Sequence, residues 1–257
     1  MSSSTQTRWA DSGPATYGAV AEEYYDPRLH PTCYNFNRLS RNFIGRHLLT
    51  VGADRRILEI GAGESSVAPL LQAAGLSLRG VTLSDSSREM LTHSAKWHEK
   101  GVRLMIGDAE QLGSWAPPTD CVVGGLGDPY NTKGFWQQLG SLLPPAGAVI
   151  FTMPSYEWAG RFRRADPASQ NTAQFVAGSG QALSMPSYIF PLARQIEMIE
   201  NVGLVLVNFE AMGRAALDGD VISPKLLGSI PECSLVWGFV AIKPSKSISV
   251  DSRTRRL

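Results

Sequence analysis

The chain has 257 residues, 43% hydrophobic and 18% charged, with 24 Lys and Arg against 23 Asp and Glu. That is enough for one large domain with a substantial core, while a net charge of +1 supplies no broad positive surface of the kind that nucleic acid requires. The three cysteines, Cys33, Cys121 and Cys233, are odd in number and lack metal-ligand spacing, and no apolar run approaches membrane length, so the pattern reads as a cytoplasmic, reduced protein without a structural metal or membrane partner.

Residues 1–15, rich in Ser and Thr, read as a disordered N-terminus, and residues 16–50 as a helical cap. Within that cap, Tyr17, Val20, Ala21 and Tyr24 fall at i, i+3, i+4 and i+7 and predict a helix over 16–26 that Pro27 ends. The tyrosines either dock this helix or face a ligand. Residues 28–37 then gather aromatic, amide, imidazole and thiol groups in what reads as a loop before a helix at 37–49. Such a loop is a candidate substrate contact, with His30 the group best suited to move a proton; the alternative is that His30 and Cys33 cap or pack the helix start.

The stretch from Arg56 to Leu71 organises the rest of the chain. Ile57-Leu58-Glu59-Ile60 is a short apolar run of strand type, Gly61-Ala62-Gly63 turns sharply, and Val67, Leu70 and Leu71 recur at helical spacing. Glycines at 61 and 63 permit backbone conformations closed to other residues and leave room for a ligand. The sixth position of a dinucleotide G-x-G-x-x-G pattern is Ser66, so that fingerprint is incomplete. Glu59 would repel a pyrophosphate but can pair with an ammonium group or accept from hydroxyls.

Glu59-Ile60-Gly61-Ala62-Gly63-Glu64-Ser65 resembles the first motif, (D/E)-x-G-x-G-x-G, of the class I S-adenosylmethionine-dependent methyltransferases. Ser65 stands in place of the third glycine and is expected to narrow the pocket slightly. The segment at 16–26 similarly resembles the Y-D-x-x-A-x-x-Y-D opening of small-molecule members, which covers the cofactor; Tyr17 and Tyr24 match, and Gly18 replaces the first acid.

A second strand is expected at 78–83. The resemblance implies an acid after it for the ribose hydroxyls; counting back from Met90-Leu91 selects Asp85, counting forward from Gly75 selects Thr82, and Asp85 is preferred because a carboxylate can accept from both. Asp85 could equally cap the next helix. A third strand leads into Gly107-Asp108-Ala109-Glu110, similar to the family motif in which the acid accepts from the adenine amino group and the next N–H meets the ring. After a fourth strand at 120–125, Asp128-Pro129-Tyr130 partly resembles the (D/N)-P-P-Y motif of amine methylating members, lacking one proline; a plain turn also explains it.

The fifth strand, at 148–152, is followed by an insertion at 155–187 with Trp158, a basic group of Arg161, Arg163 and Arg164, and a hairpin over 174–184. The arginines either hold an anion or form a solvated face. A last helix at 191–202 and strands at 204–209 and 234–242 complete a domain at 51–243, and residues 244–257 read as a disordered tail.

The resemblance thus implies a seven-stranded, doubly wound, Rossmann-like α/β sheet with an antiparallel final strand. It implies S-adenosyl-L-methionine as cofactor, held by Tyr17, Glu59, Gly61, Ala62, Gly63 and Asp85, together with Ser86, Asp108, Ala109 and Gly125. His30, Asp128 and Tyr130 are the candidate catalytic residues, and Tyr24, Asn131 and Trp158 the candidate acceptor contacts. Methyl transfer to a small organic acceptor is the expected function; methylation of a nucleic-acid base or other polymer amine, aminopropyl transfer, and a non-catalytic cofactor-binding subunit are the alternatives. No feature of the sequence sets an oligomeric state.

Overall fold

A computed structural model of the chain describes residues 17–51, 55–163, 170–217, 219, 223–227 and 233–245. The expected disordered N-terminus, the tail beyond residue 245, and Arg164 lie outside the described residues. In chain order, α1 (Pro31–Val51), β1 (Ile57–Ile60), α2 (Val67–Ala73), β2 (Val81–Asp85), α3 (Arg88–Leu91) and β3 (Arg103–Ile106) form the first half. They are followed by α4 (Leu112–Trp115), β4 (Cys121–Gly124), α5 (Lys133–Leu142), β5 (Ala148–Pro154) and α6 (Tyr156–Gly160). The hairpin β6 (Thr172–Val176) and β7 (Ala182–Pro186) comes next, then α7 (Leu192–Glu200), β8 (Val205–Met212), α8 (Pro224–Leu227) and β9 (Val236–Ile242).

Seven strands form one sheet in the order β3-β2-β1-β4-β5-β9-β8, parallel except for β9, which runs antiparallel to both its neighbours. This is the expected sheet, with the last strand of the chain inserted beside the fifth. Chain order reverses between β1 and β4, and their register sets Ile60 opposite Gly124, so the turns after both strands open into one crevice. β1 and β4 are buried along their whole length, as strands covered by helices on both faces must be. On one face α1 and α2 contribute Phe43, Ile44, Leu48 and Leu71 to the core; on the other α5 and α7 contribute Phe135, Trp136, Leu139 and Ile199.

The N-terminal segment differs from its expected form. Tyr17–Val20 makes a single 3-10 turn rather than a three-turn helix, and α1 begins six residues early, at Pro31 instead of residue 37. Proline is accommodated there because a first-turn N–H has no intrahelical acceptor, and the His30 carbonyl already accepts from the Tyr34 N–H at 3.0 Å. The expected loop is therefore largely the first two turns of a helix. β2 also starts three residues late: the Val81 N–H donates to Leu78 in a turn through Gly80, at φ 89°, and the Gly80 carbonyl meets the Ile57 N–H.

Helix α1 is seated on the sheet by Phe43, whose ring occupies the space a side chain on Gly238 of β9 would need: a Cβ there would come within 2.6 Å of the ring. Phe43→Ala is expected to cost about 3–5 kcal/mol and Gly238→Ala about 1–3 kcal/mol. In the Phe43→Ala background Gly238→Ala should cost less than it does alone, and chemical denaturation of the four proteins of this cycle would show additive costs if ring and glycine did not share that space.

Candidate functional site

The turn after β1 requires its glycines. Gly61 and Gly63 have φ of 61° and 41°, and a Cβ on Gly61 would lie 2.9 Å from the Tyr130 ring, while one on Gly63 would collide with the Tyr25 hydroxyl. The turn is tied to β2 twice: the Ala62 N–H donates to the Ser84 carbonyl (2.8 Å) and the Gly63 N–H to Asp85 Oδ2 (3.1 Å). Asp85 Oδ1 accepts from the Ser87 N–H (2.9 Å), and Ser87, not Asp85, caps α3 by accepting from Met90. Thr82 lies inside β2, paired with Leu58 and Arg103, whereas Asp85 ends the strand and faces the crevice.

Glu59 holds the other side of the turn. Buried at 2% exposure, it accepts from the Ser66 N–H (2.8 Å), the Val67 N–H (3.3 Å) and the Ser65 hydroxyl, and Ser65 Oγ in turn accepts from the Ala68 N–H (3.0 Å). Together the two side chains satisfy the N–H groups that begin α2, where a carboxylate also meets the positive end of the helix. Burial pushes the Glu59 carboxyl up to about 6 against the pull of these hydrogen bonds. Both oxygens expected to serve an ammonium group are thus engaged by the helix. Ser65 is fully buried and points into the body of the domain, so the expected narrowing of the pocket does not occur.

Above the turn lies a cavity of about 730 Å³. Its β1–β2 side is walled by Glu59, Gly61, Ala62, Asp85 and Ser86, and Gly125 continues it past β4. Tyr17, Tyr24, His30, Asp128, Tyr130 and Trp158, drawn from three separate stretches of the chain, line the rest. The remaining sequence candidates stand elsewhere. Gly63 lies beneath Tyr25, whose hydroxyl accepts from the Glu64 N–H at 2.8 Å. Asp108 is exposed, capping its own turn by accepting from the Glu110 N–H (2.9 Å) and Gln111 Nε2 (3.2 Å); Ala109 is buried beside it, and the Trp115 indole lies over Gly107 and donates to the Asp108 carbonyl (2.9 Å). β3 is the sheet's edge strand, so its end sits at the margin of the crevice. Asn131 is entirely buried, donating to the Tyr188 carbonyl (2.9 Å) and Gln195 Oε1 (2.7 Å) and accepting from Trp136 Nε1 (2.8 Å). Its polar atoms are consumed in joining the β4 turn to α5 and α7.

The roof is the β6–β7 hairpin. Phe175 stacks on Tyr24 (6.0 Å between centroids) and packs on His30 (4.3 Å), and the hairpin turn is pinned where the Gly178 N–H donates to Glu23 Oε1 (2.8 Å). Glu23 also pairs with His30 Nε2 at 3.2 Å. Under this roof Asp128 is 7% exposed, and its Oδ2 accepts from the Ser187 hydroxyl at 2.5 Å. Burial pushes the Asp128 carboxyl up to about 6, while the Ser187 hydrogen bond and the Arg163 charge pull it down. Tyr130 donates to the Ile60 carbonyl (2.9 Å), and burial holds its phenol well above the ordinary range. Arg163 is not part of a solvated face: it is half-buried and donates to the Ser187 carbonyl (2.7 Å), the Ser187 hydroxyl (2.8 Å) and the Gln170 carbonyl. Glu23, Tyr25 and Ser187 have no local sequence signal; only their distant partners mark them.

Among solved structures, the CcbJ methyltransferase from Streptomyces caelestis aligns over 90% of this chain and 97% of its own at 17% identity, with a TM-score of 0.58. A DhpI–SAM–HEP complex aligns over 89% and 94% at 18% identity and a TM-score of 0.57, and an S-adenosylmethionine-dependent methyltransferase from Mesorhizobium loti over 79% and 97% at 13% and 0.56. The chain has the class I S-adenosylmethionine-dependent methyltransferase fold. Neither a protein-family model nor a curated protein sequence matches it. In this methyltransferase fold, no described helix is long and apolar enough to cross a membrane, and the described residues include no cluster of His, Cys, Asp and Glu arranged to hold a metal ion.

Asp128 gives the site a pH signature. Because its folded pKa, about 6, lies above the unfolded value of 3.8, the folded state disfavours the charged form; the resulting stability is full below pH 3.8 and is lost as pH rises through 6. Asp128→Asn removes this loss. The variant should be more stable than the parent at pH 7.5 by on the order of 2–3 kcal/mol, with the advantage fading between pH 6 and 4. Thermal unfolding across that range would show a constant difference if Asp128 did not titrate there.

Proposed function

We propose that the chain is an S-adenosylmethionine-dependent methyltransferase acting on a small organic acceptor. The observation that carries this reading is the meeting, in one roofed cavity, of the glycine turn with Asp85 on one side and the buried Asp128 carboxylate among aromatic walls on the other. The residues present fit the cofactor: Gly61 leaves its space free of side chain, the volume is of the size that small-ligand sites occupy, and Asp85 keeps lone pairs beyond its two backbone hydrogen bonds with which to accept from ribose hydroxyls. Ser86 and Met90, rather than Asp108 and Ala109, wall the cavity beyond Asp85.

When bound, the cofactor supplies an electrophilic methyl group. The chain's own work is then to orient an acceptor, exclude water and receive a proton. Tyr24, Phe175 and Trp158 offer flat apolar surface for the acceptor's body, and the hairpin keeps bulk solvent from it. Asp128, ionised above about pH 6, accepts the proton from an acceptor hydroxyl or amine; His30, lodged between Glu23 and Phe175, borders the same space. Of the arginines that would favour a polymer, Arg163 is turned inward to the insertion's own backbone, which leaves Arg161 as the exposed one among the described residues. Aminopropyl transfer to a polyamine would call for several acids around the acceptor, whereas at Asp128 the nearby charge is the cationic Arg163, and Lys225 is a second cation on the cavity's lining.

Calorimetric titration with S-adenosylhomocysteine should show saturable binding, and Asp85→Ala should weaken it about 10–100-fold. With methyl-labelled cofactor and a cell extract divided into low-mass and nucleic-acid fractions, label should enter the low-mass fraction and be lost in Asp128→Asn while S-adenosylhomocysteine affinity is kept. Absence of binding refutes the cofactor; label in nucleic acid refutes the small acceptor; full labelling by Asp128→Asn refutes the base.

A further inference from the structure

Asp128 does not stand alone. Its Oδ2 accepts from Ser187 Oγ at 2.5 Å, and Ser187 Oγ accepts from Arg163 Nη2 at 2.8 Å, so a guanidinium, a hydroxyl and a carboxylate form one hydrogen-bonded chain along the cavity wall. The two supporting residues sit at the roots of the insertion. Ser187 follows β7, its N–H donating to the Asn171 carbonyl (2.9 Å), and the next N–H, of Tyr188, donates to the Asp128 carbonyl (2.7 Å). Arg163 follows α6 and reaches the Gln170 carbonyl on one strand root and the Ser187 carbonyl on the other. Ser187 is 1% exposed, so its hydroxyl, not bulk water, meets Asp128 Oδ2. A hydroxyl has one proton to give; with Arg163 donating to its oxygen, the Ser187 proton is committed to Asp128.

We propose that Ser187, oriented by Arg163, is a positioning residue that fixes the Asp128 carboxylate for proton acceptance, so that the segment roofing the cavity also completes its base. The inference rests on Asp128 being that base. The hydrogen bond occupies Oδ2 and leaves Oδ1 as the oxygen for the acceptor, and it favours the charged form, without which a buried aspartate would stay protonated near neutral pH. The other titratable groups facing Asp128 are Tyr17 from the N-terminal turn, Tyr24, Cys33 from α1 and Tyr130. Burial raises all four and keeps them neutral, so Arg163 is the charged group that acts on Asp128, directly by its charge and, through its hydrogen bond to Ser187 Oγ, by orienting the hydroxyl that donates to the carboxylate.

The test follows the Asp128 carboxyl carbon directly, by NMR of the full chain labelled with carboxyl-¹³C aspartate, its signal assigned by its loss in Asp128→Asn. The parent should titrate near 6. Ser187→Ala, and separately Arg163→Gln, should each move the midpoint upward, Ser187→Ala by about 1–2 pH units. The direction separates positioning from packing: loosening of the roof alone would admit water and move the midpoint down, toward the ordinary aspartate range. An unmoved or lowered midpoint in Ser187→Ala overturns the proposal, whatever Arg163→Gln does through its charge. Failure of the base itself is read elsewhere, from methyl labelling that survives Asp128→Asn, and so is not confused with failure of the Ser187 link.

Discussion

The carboxylate of Glu59 under the N-terminus of α2 is the contact on which the site depends. Burying a charge costs several kcal/mol unless donors replace its water, and here the donors are the backbone N–H groups that a helix start leaves without partners. Each side satisfies the other. Because Ser65 joins the same arrangement, the chain between Ile60 and Ser66 is held at both ends and can sustain two left-handed glycines within it. The motif's acid is therefore first a fastening for the turn, and Ser65, standing in place of the glycine, adds hydrogen bonds to that fastening where a slight narrowing of the pocket was expected.

A second fastening comes from Asp85. One carboxylate oxygen holds Gly63 and the other holds Ser87, so the turn after β1 and the turn after β2 are set relative to one another before any ligand arrives. Preorganisation of this kind lowers the ordering cost that binding would otherwise carry. The roof is fixed by similarly few contacts: Glu23 receives the Gly178 N–H and borders His30, while Arg163 ties both roots of the insertion. Tyr24, His30 and Phe175 then close over the cavity as a packed aromatic unit.

Two acids whose carboxyls are pushed to about 6 lie within the fold, and they differ in what holds them. Glu59 is satisfied by three donors at a helix start and has a structural role. Asp128 has one side-chain donor, a cavity on its other side, and a cost to stability at neutral pH that the fold would shed by substituting an amide. That cost, borne beside a cavity, is what supports the proposed role of Asp128 as the base.

The sheet and its glycine turn were legible in the sequence because their signals are local. A strand buried on both faces must be continuously apolar, a left-handed turn needs glycine, and the succession of strands and helices leaves one sensible topology. The N-terminal segment was not: its tyrosines keep helical spacing, yet they face a cavity and the hairpin rather than a continuous surface, and Pro31 begins the helix that the aromatic cluster around it had suggested was a loop. Chemistry alone favoured Asp85 over Thr82 as the acid for the ribose, and packing sets Asp85 at the strand end facing the crevice with Thr82 inside the strand. Asn131 and Asp108 could not be judged that way, since whether a polar side chain faces a ligand or a neighbouring helix depends on partners such as Gln195 that lie far along the chain. The same holds for Ser187, an ordinary serine until the hairpin brings it to Asp128, 59 positions away in sequence. Residue type and spacing determined the frame; long-range packing decided which polar groups remained free to act, because a hydrogen bond between distant segments leaves no periodic trace in the sequence of either.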